Sequence, residues 1–166
     1  MGEFLENPEE PSQSDRGAQP WWNEGLHFEC LGCGRCCRGA PGGIFLLPEE
    51  ERRIAQLFGE SLNEFRARRE TNRWRFPSIR ETQDGRCIMN RGDNRCKVYP
   101  CRPIACRTWP FWPELLASPE AWDAAAAQCP GMNGGPLWEA WKIQNVLSAH
   151  QRYMKKLSVA CGKEAS

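Results

Sequence analysis

The apolar positions of this chain fall into short, separated groups rather than one long periodic pattern. Residues 1–24 are polar, with prolines and scattered acids, and predict a disordered tail. The paired indoles Trp21-Trp22 mark the place where that tail meets a folded domain spanning residues 25–160. Ile44-Phe45-Leu46-Leu47 is a brief continuous apolar run and predicts a strand. Pro48-Glu49-Glu50-Glu51 then opens a helix, with proline in the first turn and acids against the positive end of the dipole. Ile54, Leu57 and Phe58 are its expected buried stripe, and Gly59 its stop. Ser61 and Glu64 have capping-box spacing for a second short helix carrying Leu62 and Phe65.

From Pro77 to Tyr99 the signals change to short extended runs divided by Asp84-Gly85 and by the loop from Asn90 to Asn94, which predicts a small meander. Cys87 and Cys96 flank the second turn, where a hairpin can bring them together. Pro100, Pro103, Pro110 and Pro113 forbid a long helix across that region. An alanine-rich helix is expected over 119–127, delivering Cys129-Pro130-Gly131. A longest, C-terminal helix is expected from Pro136, with Leu137, Trp141, Ile143, Val146, Leu147, Met154 and Leu157 on or near one face. The fold class is α+β: a small, irregular, cysteine-rich domain organised by metal, with a short meander, peripheral helices and a long C-terminal helix.

Composition adds ten cysteines. The N-terminus has no apolar signal core and no run is long enough to span a bilayer, so a cytoplasmic setting with reduced thiols is expected. Spaced cysteines in that setting read as metal ligands or redox groups. Cys30-Leu31-Gly32-Cys33-Gly34-Arg35-Cys36-Cys37 takes the Cys-x-x-Cys step twice, the spacing at which two sulfurs on a tight turn reach one metal ion. Neighbours in sequence ordinarily diverge, so Cys36 and Cys37 are expected to serve different sites, or one of them to stay free. If eight cysteines are bound thiolates, the formal charge of +1 becomes −7, and two divalent ions bring it to −3. Arg35, Arg38, Arg86, Arg95, Arg102 and Arg107 each adjoin a cysteine and are expected to answer that charge. Basic residues elsewhere are balanced by acids without a one-sided run, so no nucleic-acid partner is expected.

The knuckle, a later Cys87, the Cys96-Lys97-Val98-Tyr99 element, Arg102-Pro103-Ile104-Ala105-Cys106-Arg107 and the distal Cys129-Pro130-Gly131 together resemble the YkgJ-like cysteine-cluster proteins. These are also described as a CxxCxxCC zinc- or iron-chelating domain, and some members carry the label flagellin N-methylase. The resemblance covers roughly residues 28–131. It implies that Cys30, Cys33, Cys36, Cys37, Cys87, Cys96, Cys106 and Cys129 are the metal ligands. The cofactor it implies is an iron–sulfur cluster or zinc. Cys101 departs from the family pattern, and is either a ninth thiol near the site or a small buried residue; Cys161, near the C-terminus, reads as an ordinary thiol.

Two tetrahedral zinc sites of four cysteines each would use eight thiols, and an iron–sulfur cluster would use four. The run Cys30, Cys33, Cys36 with remote Cys129-Pro130 echoes ferredoxin spacing, and the flanking arginines favour iron–sulfur slightly. His27 is a possible donor behind the ligands, and His150 reads as a surface residue. Arg73-Trp74-Arg75 reads as a solvated face with a buried tryptophan. Three function classes follow: a metalloprotein with a structural, redox or delivery role; a metal-folded module that binds another protein through Trp21-Trp22 or the last helix; and a methylase-like enzyme acting on protein lysines. No Gly-x-Gly-x-x-Gly run follows a strand, which argues against an S-adenosylmethionine pocket within this chain, and no catalytic residue is assigned.

Overall fold

A computed structural model describes residues 19–38, 43–160 and 162; the tail over 1–18 and Cys161 lie outside the described residues. In chain order the elements are β1 (Leu26–Phe28), a 3-10 turn at Arg35–Cys37, α1 (Pro48–Phe58), α2 (Leu62–Arg69), β2 (Glu70–Arg73) and β3 (Phe76–Ile79). A second 3-10 turn at Tyr99–Cys101, α3 (Ile104–Thr108), α4 (Pro119–Ala126), β4 (Met132–Trp138) and α5 (Ala140–Ala160) follow. The architecture is mixed α+β with a long C-terminal helix, as the pattern implied.

Local chemistry sets the helix ends. Pro48 occupies the first turn of α1, and Gly59 closes it at φ 64, a left-handed angle that suits a residue without Cβ. Ser61 Oγ accepts from Glu64 N while the Glu64 carboxylate accepts from Ser61 N, which completes the box that starts α2. Ser118 accepts from Ala121 N to start α4.

The strands differ more from expectation. β1 and β4 pair antiparallel, with Leu26 opposite Trp138 and His27 opposite Leu137, and a bulge before Phe28 brings it opposite Met132. Pro136 and Leu137 therefore lie in a strand, and the last helix begins only at Ala140. Proline is tolerated there because a two-stranded sheet has edges where no N–H is needed. β2 and β3 form the second pair, from Glu70 opposite Ile79 to Arg73 opposite Phe76. The 44–47 run lies along β3 through a single bridge, Phe45 to Ser78. The expected meander is reduced to two isolated bridges, Glu81 to Cys87 and Asn90 to Cys96. Left-handed residues at Gly85, Gly92 and Asn94 turn the chain too quickly for a longer ladder to build.

Buried apolar residues form three clusters. One holds Trp22, Phe28, Phe111, Leu116, Trp122, Met132 and Ile143. A second holds Leu46, Ile54, Ala55, Phe65, Ile79, Met89 and Val98. The third, with Leu47, Phe76, Ala105, Tyr153 and Leu157, brings α3 and α5 together. Trp21 and Trp22 dock inward: Trp21 donates Nε1–H to Leu116 O at 2.8 Å and meets Trp122 edge-on. Leu57, expected in the stripe of α1, is about half exposed, and Glu50 and Glu51 are buried instead. Trp74, expected inside, stands at a hairpin tip with 64 % exposure.

Candidate metal centre

The cysteine knuckle is clamped onto the Cys87–Cys96 loop by three contacts. Cys87 N donates to Cys37 O at 2.8 Å. Arg38 Nη2 donates to Asn94 Oδ1 at 2.5 Å. Gly34, at φ +67, lies so close to Asn94 that a Cβ would stand 2.8 Å from its carbonyl oxygen. Only glycine fits there, so the Gly34 of the knuckle has a packing role as well as a turning one. The 3-10 turn that follows carries Cys36 and Cys37 side by side in sequence, and the neighbouring Cys37 thiol is the largest cause of the raised pKa of Cys36.

Cys106 arrives from a different direction, on the five-residue α3. A helix this short has little stability of its own, and α3 is held at three points. The buried Glu50 carboxylate accepts from Ile104 N at 2.7 Å. Thr108 Oγ1 and His150 Nδ1 are 2.8 Å apart. Trp112 Nε1 donates to Ala105 O at 2.9 Å. His150 is buried against Trp112 and Tyr153, not on the surface, and burial holds its pKa below the ordinary histidine value.

Electrostatics places these thiols in one neighbourhood. Burial pushes Cys106 up, and the charges of Cys87, Cys36 and Cys96 push the same way. Cys87 is pushed up to about 11 by burial, with Cys96 and Glu81 adding to it. Cys96 is raised by burial and by Cys101 and Cys36. The neighbouring Cys37 thiol raises Cys36, with desolvation adding to it although Cys36 reaches the surface. One cation opposes these shifts at Cys36, Cys96 and Cys106 alike: Arg102, stacked 4.0 Å over the Tyr99 ring. Burial raises Cys101 against the pull of Arg53 and Arg107, and Cys101 is among the groups that raise Cys96.

A cavity of about 240 Å³, open to solvent, has Cys36, Cys37, Cys87 and Cys129 on its wall, with Trp109 and Trp112 among its other residues. The two indoles meet edge-on, 5.0 Å between centroids. Among the described residues, no three Cys, His, Asp or Glu side chains surround one point closely enough to hold an ion as they stand, so coordination requires the sulfurs to close in. The surroundings fit a thiolate centre. Asn90 Nδ2, Arg102 Nε and Trp109 Nε1 are buried donors with no acceptor among the described residues. Each belongs to a residue that borders these cysteines, and metal-bound sulfur is an acceptor of the kind they lack.

A profile for CxxCxxCC, described as "Putative zinc- or iron-chelating domain", matches residues 29–130, well over half of the chain. The chain belongs to the CxxCxxCC family. No solved structure matches it. The CxxCxxCC segment begins at the exit of β1 and ends at the entrance to β4, two points that the first sheet holds side by side.

The eight expected ligands divide by setting. Cys36, Cys37, Cys87, Cys96 and Cys106 gather as described, and Cys129 joins three of them on the cavity wall. Cys30 and Cys36 are exposed, and the other six are partly buried. His27 stands with Nδ1 2.8 Å from Gly135 O, committed to the backbone of β4. Reasoning from sequence placed Asn90 in a loop and Glu50 at a helix start, and gave neither a part in the site. Glu50 stands at the third helical position, where its carboxylate accepts from the N-cap Leu47 N, but its second partner Ile104 lies 54 residues away. Among the described residues no helix is long and apolar enough to cross a membrane.

Proposed function

We propose that this chain is a cytoplasmic thiolate metalloprotein, holding zinc or iron through Cys30, Cys33, Cys36, Cys37, Cys87, Cys96, Cys106 and Cys129. The observation that carries this is convergence: cysteines from the knuckle, the bridged loop and α3 are brought into mutual electrostatic range, with buried donors lacking acceptors around them. Thiolates hold soft and borderline cations in such settings, as zinc bound by four cysteines or as an iron–sulfur cluster.

The role we assign is exchange, of metal or of electrons, rather than a sealed structural one. Structural sites are closed. Here four candidate ligands lie on the wall of a cavity that solvent enters, so an outside molecule can approach the sulfurs. Anaerobic purification followed by metal analysis and an absorbance scan tests the assignment. Iron with a visible sulfide-to-iron band identifies the cluster form, and a colourless protein with about two zinc ions per chain identifies the zinc form. A native protein with neither metal, and with cystine bridges by mass, refutes it.

A further inference from the structure

We infer that the tip of the β2–β3 hairpin, built around Trp74, is a docking site for this chain's own N-terminal segment Glu3-Phe4-Leu5-Glu6.

Of the eight tryptophans, Trp74 alone is exposed. A single apolar side chain in water means little, but Trp74 heads a larger surface. Phe45, itself only partly buried, meets it edge-on with centroids 6.0 Å apart, and Phe76 lies 5.2 Å beyond Phe45. An aromatic shelf thus runs from the tip down to the third core cluster. The turn is strained to keep its outer end in solvent. Trp74 and Arg75 stand at φ 51 and φ 71, angles that suit glycine or asparagine, and neither side chain gains burial in return. Strain without local benefit is typical of ligand-holding turns.

Charge at the tip is one-sided. Arg73 is committed to Glu81 at 3.2 Å. Arg75 is exposed and forms no ion pair among the described residues. Arg80 donates to the Glu70 and Ala67 carbonyl oxygens, which leave its charge uncancelled. Beside them lies an open hollow of about 400 Å³, with Thr71, Thr82 and Gln83 on its wall. β2 pairs only with β3 among the described residues, so its other edge is open to an extended segment. The surface therefore fits an extended, acidic stretch with an apolar pair within it.

The N-terminal tail has that composition. Residues 1–18 carry five acids against Arg16, a formal side-chain charge of −4, and Phe4-Leu5 stands between Glu3 and Glu6. The distance is also matched. Trp21 and Trp22 tether the tail to the cluster that holds Ile143, while Phe76 belongs to the one that holds Leu157. Those two positions on α5 are about 21 Å apart at 1.5 Å per residue. From Leu5 to Gln19 the chain covers about 20 Å as a flexible coil and about 45 Å when extended. A tether matched to its span keeps the segment at an effective concentration in the millimolar range. One apolar pair and two charges then suffice to fill the site about half of the time.

The test uses the full chain labelled with nitrogen-15, purified under reducing conditions, and reads the indole N–H signals with a neutral gadolinium chelate in solution. The signal lost in Trp74→Phe assigns that residue. Relaxation by the chelate is expected to rise about twofold at Trp74 in Phe4→Ser/Leu5→Ser, and to stay unchanged at the buried Trp22 and Trp122. Glu3→Lys/Glu6→Lys should expose Trp74 as well, and adding Arg75→Glu should restore protection. Equal relaxation at Trp74 in wild type and in Phe4→Ser/Leu5→Ser overturns the inference, and so does a charge reversal that Arg75→Glu fails to rescue. Protection that fades on dilution assigns the occupant to a second copy of the chain, and overturns docking within one copy.

Discussion

Glu50 gives the sharpest test of how the fold carries Cys106. Its side chain is 1 % exposed, and both carboxylate oxygens are engaged by backbone: Oε2 accepts from Leu47 N at 2.9 Å and Oε1 from Ile104 N at 2.7 Å. Burial raises its pKa, while those two N–H groups and the nearby Arg107 and Arg53 act to keep it charged. Glu50→Gln retains the shape but has only one acceptor oxygen, so its amide must face one of the two N–H donors. The change loses one charge-assisted hydrogen bond, worth about 1.5–3 kcal/mol, and leaves a buried donor unsatisfied at about 1–3 kcal/mol. Removing a buried charge offsets part of this. A net loss of about 2–4 kcal/mol is expected, a large share of the roughly 5–15 kcal/mol that holds a domain. Urea unfolding of the metal-loaded protein measures it, with the exposed neighbour Glu49→Gln as the companion, expected within about 0.5 kcal/mol of wild type. Since Ile104 opens α3, Glu50→Gln should also release metal to a chelator faster. If Glu50→Gln unfolds at the same urea concentration as Glu49→Gln, the buried carboxylate does not tie α1 to α3 in the way argued.

Other expectations follow from the same kind of accounting. Tyr153→Phe removes a buried hydroxyl that donates to Phe45 O at 2.7 Å, and should cost about 1–2 kcal/mol in the same unfolding assay, with α5 loosened from the 44–47 segment. Glu70 is raised by burial and by Glu51, against Arg66, from the usual 4.5 to about 7. The folded state therefore holds its proton more tightly than the unfolded chain, and stability falls as pH climbs from 4.5 through 7, by on the order of 3 kcal/mol. Glu70→Gln should flatten that part of the pH–stability curve, and an unchanged slope between pH 5 and 7, within about half a kcal/mol, would contradict the assignment. Arg75, at φ 71 in the β2–β3 turn, bears the left-handed strain of a residue with a Cβ. Arg75→Gly should raise stability by about 0.5–1 kcal/mol after the entropy cost of glycine, readable as a higher urea midpoint.

What the sequence disclosed is what is decided within a turn or two of chain. Pro48 and Gly59 bound α1, the Ser61–Glu64 box begins α2 and Ser118 begins α4, each through partners no more than four residues away. What it hid depends on distant partners. β1 is three residues long, too short to show alternation, and its hold on β4 runs through pairs such as Trp138 Nε1 to Phe28 O, 110 residues apart. Without that partner, Pro136 reads as a helix start. His150 shows the same limit, since its burial follows from Thr108, 42 residues earlier, and from Trp112. Cysteine spacing marked the chemistry clearly, but the 3-10 turn that carries Cys36 and Cys37 is one that no composition or period announces.

Arginine beside cysteine turns out to be a matter of position rather than number. Arg86 faces Asp84, Arg95 faces Asp93 and Arg38 is bonded to Asn94, so these three are engaged away from sulfur. Arg102 alone among the six opposes the raised pKa of Cys36, Cys96 and Cys106 together, and it stacks over the Tyr99 ring. The neutral donors at Asn90 and Trp109 can stabilise sulfur charge without cancelling it. Arg35 and Arg38 line the same cavity as Cys36, Cys37, Cys87 and Cys129, so cations and neutral N–H groups both border the sulfurs. The choice of metal is then left to the sulfurs themselves and to what the open cavity admits.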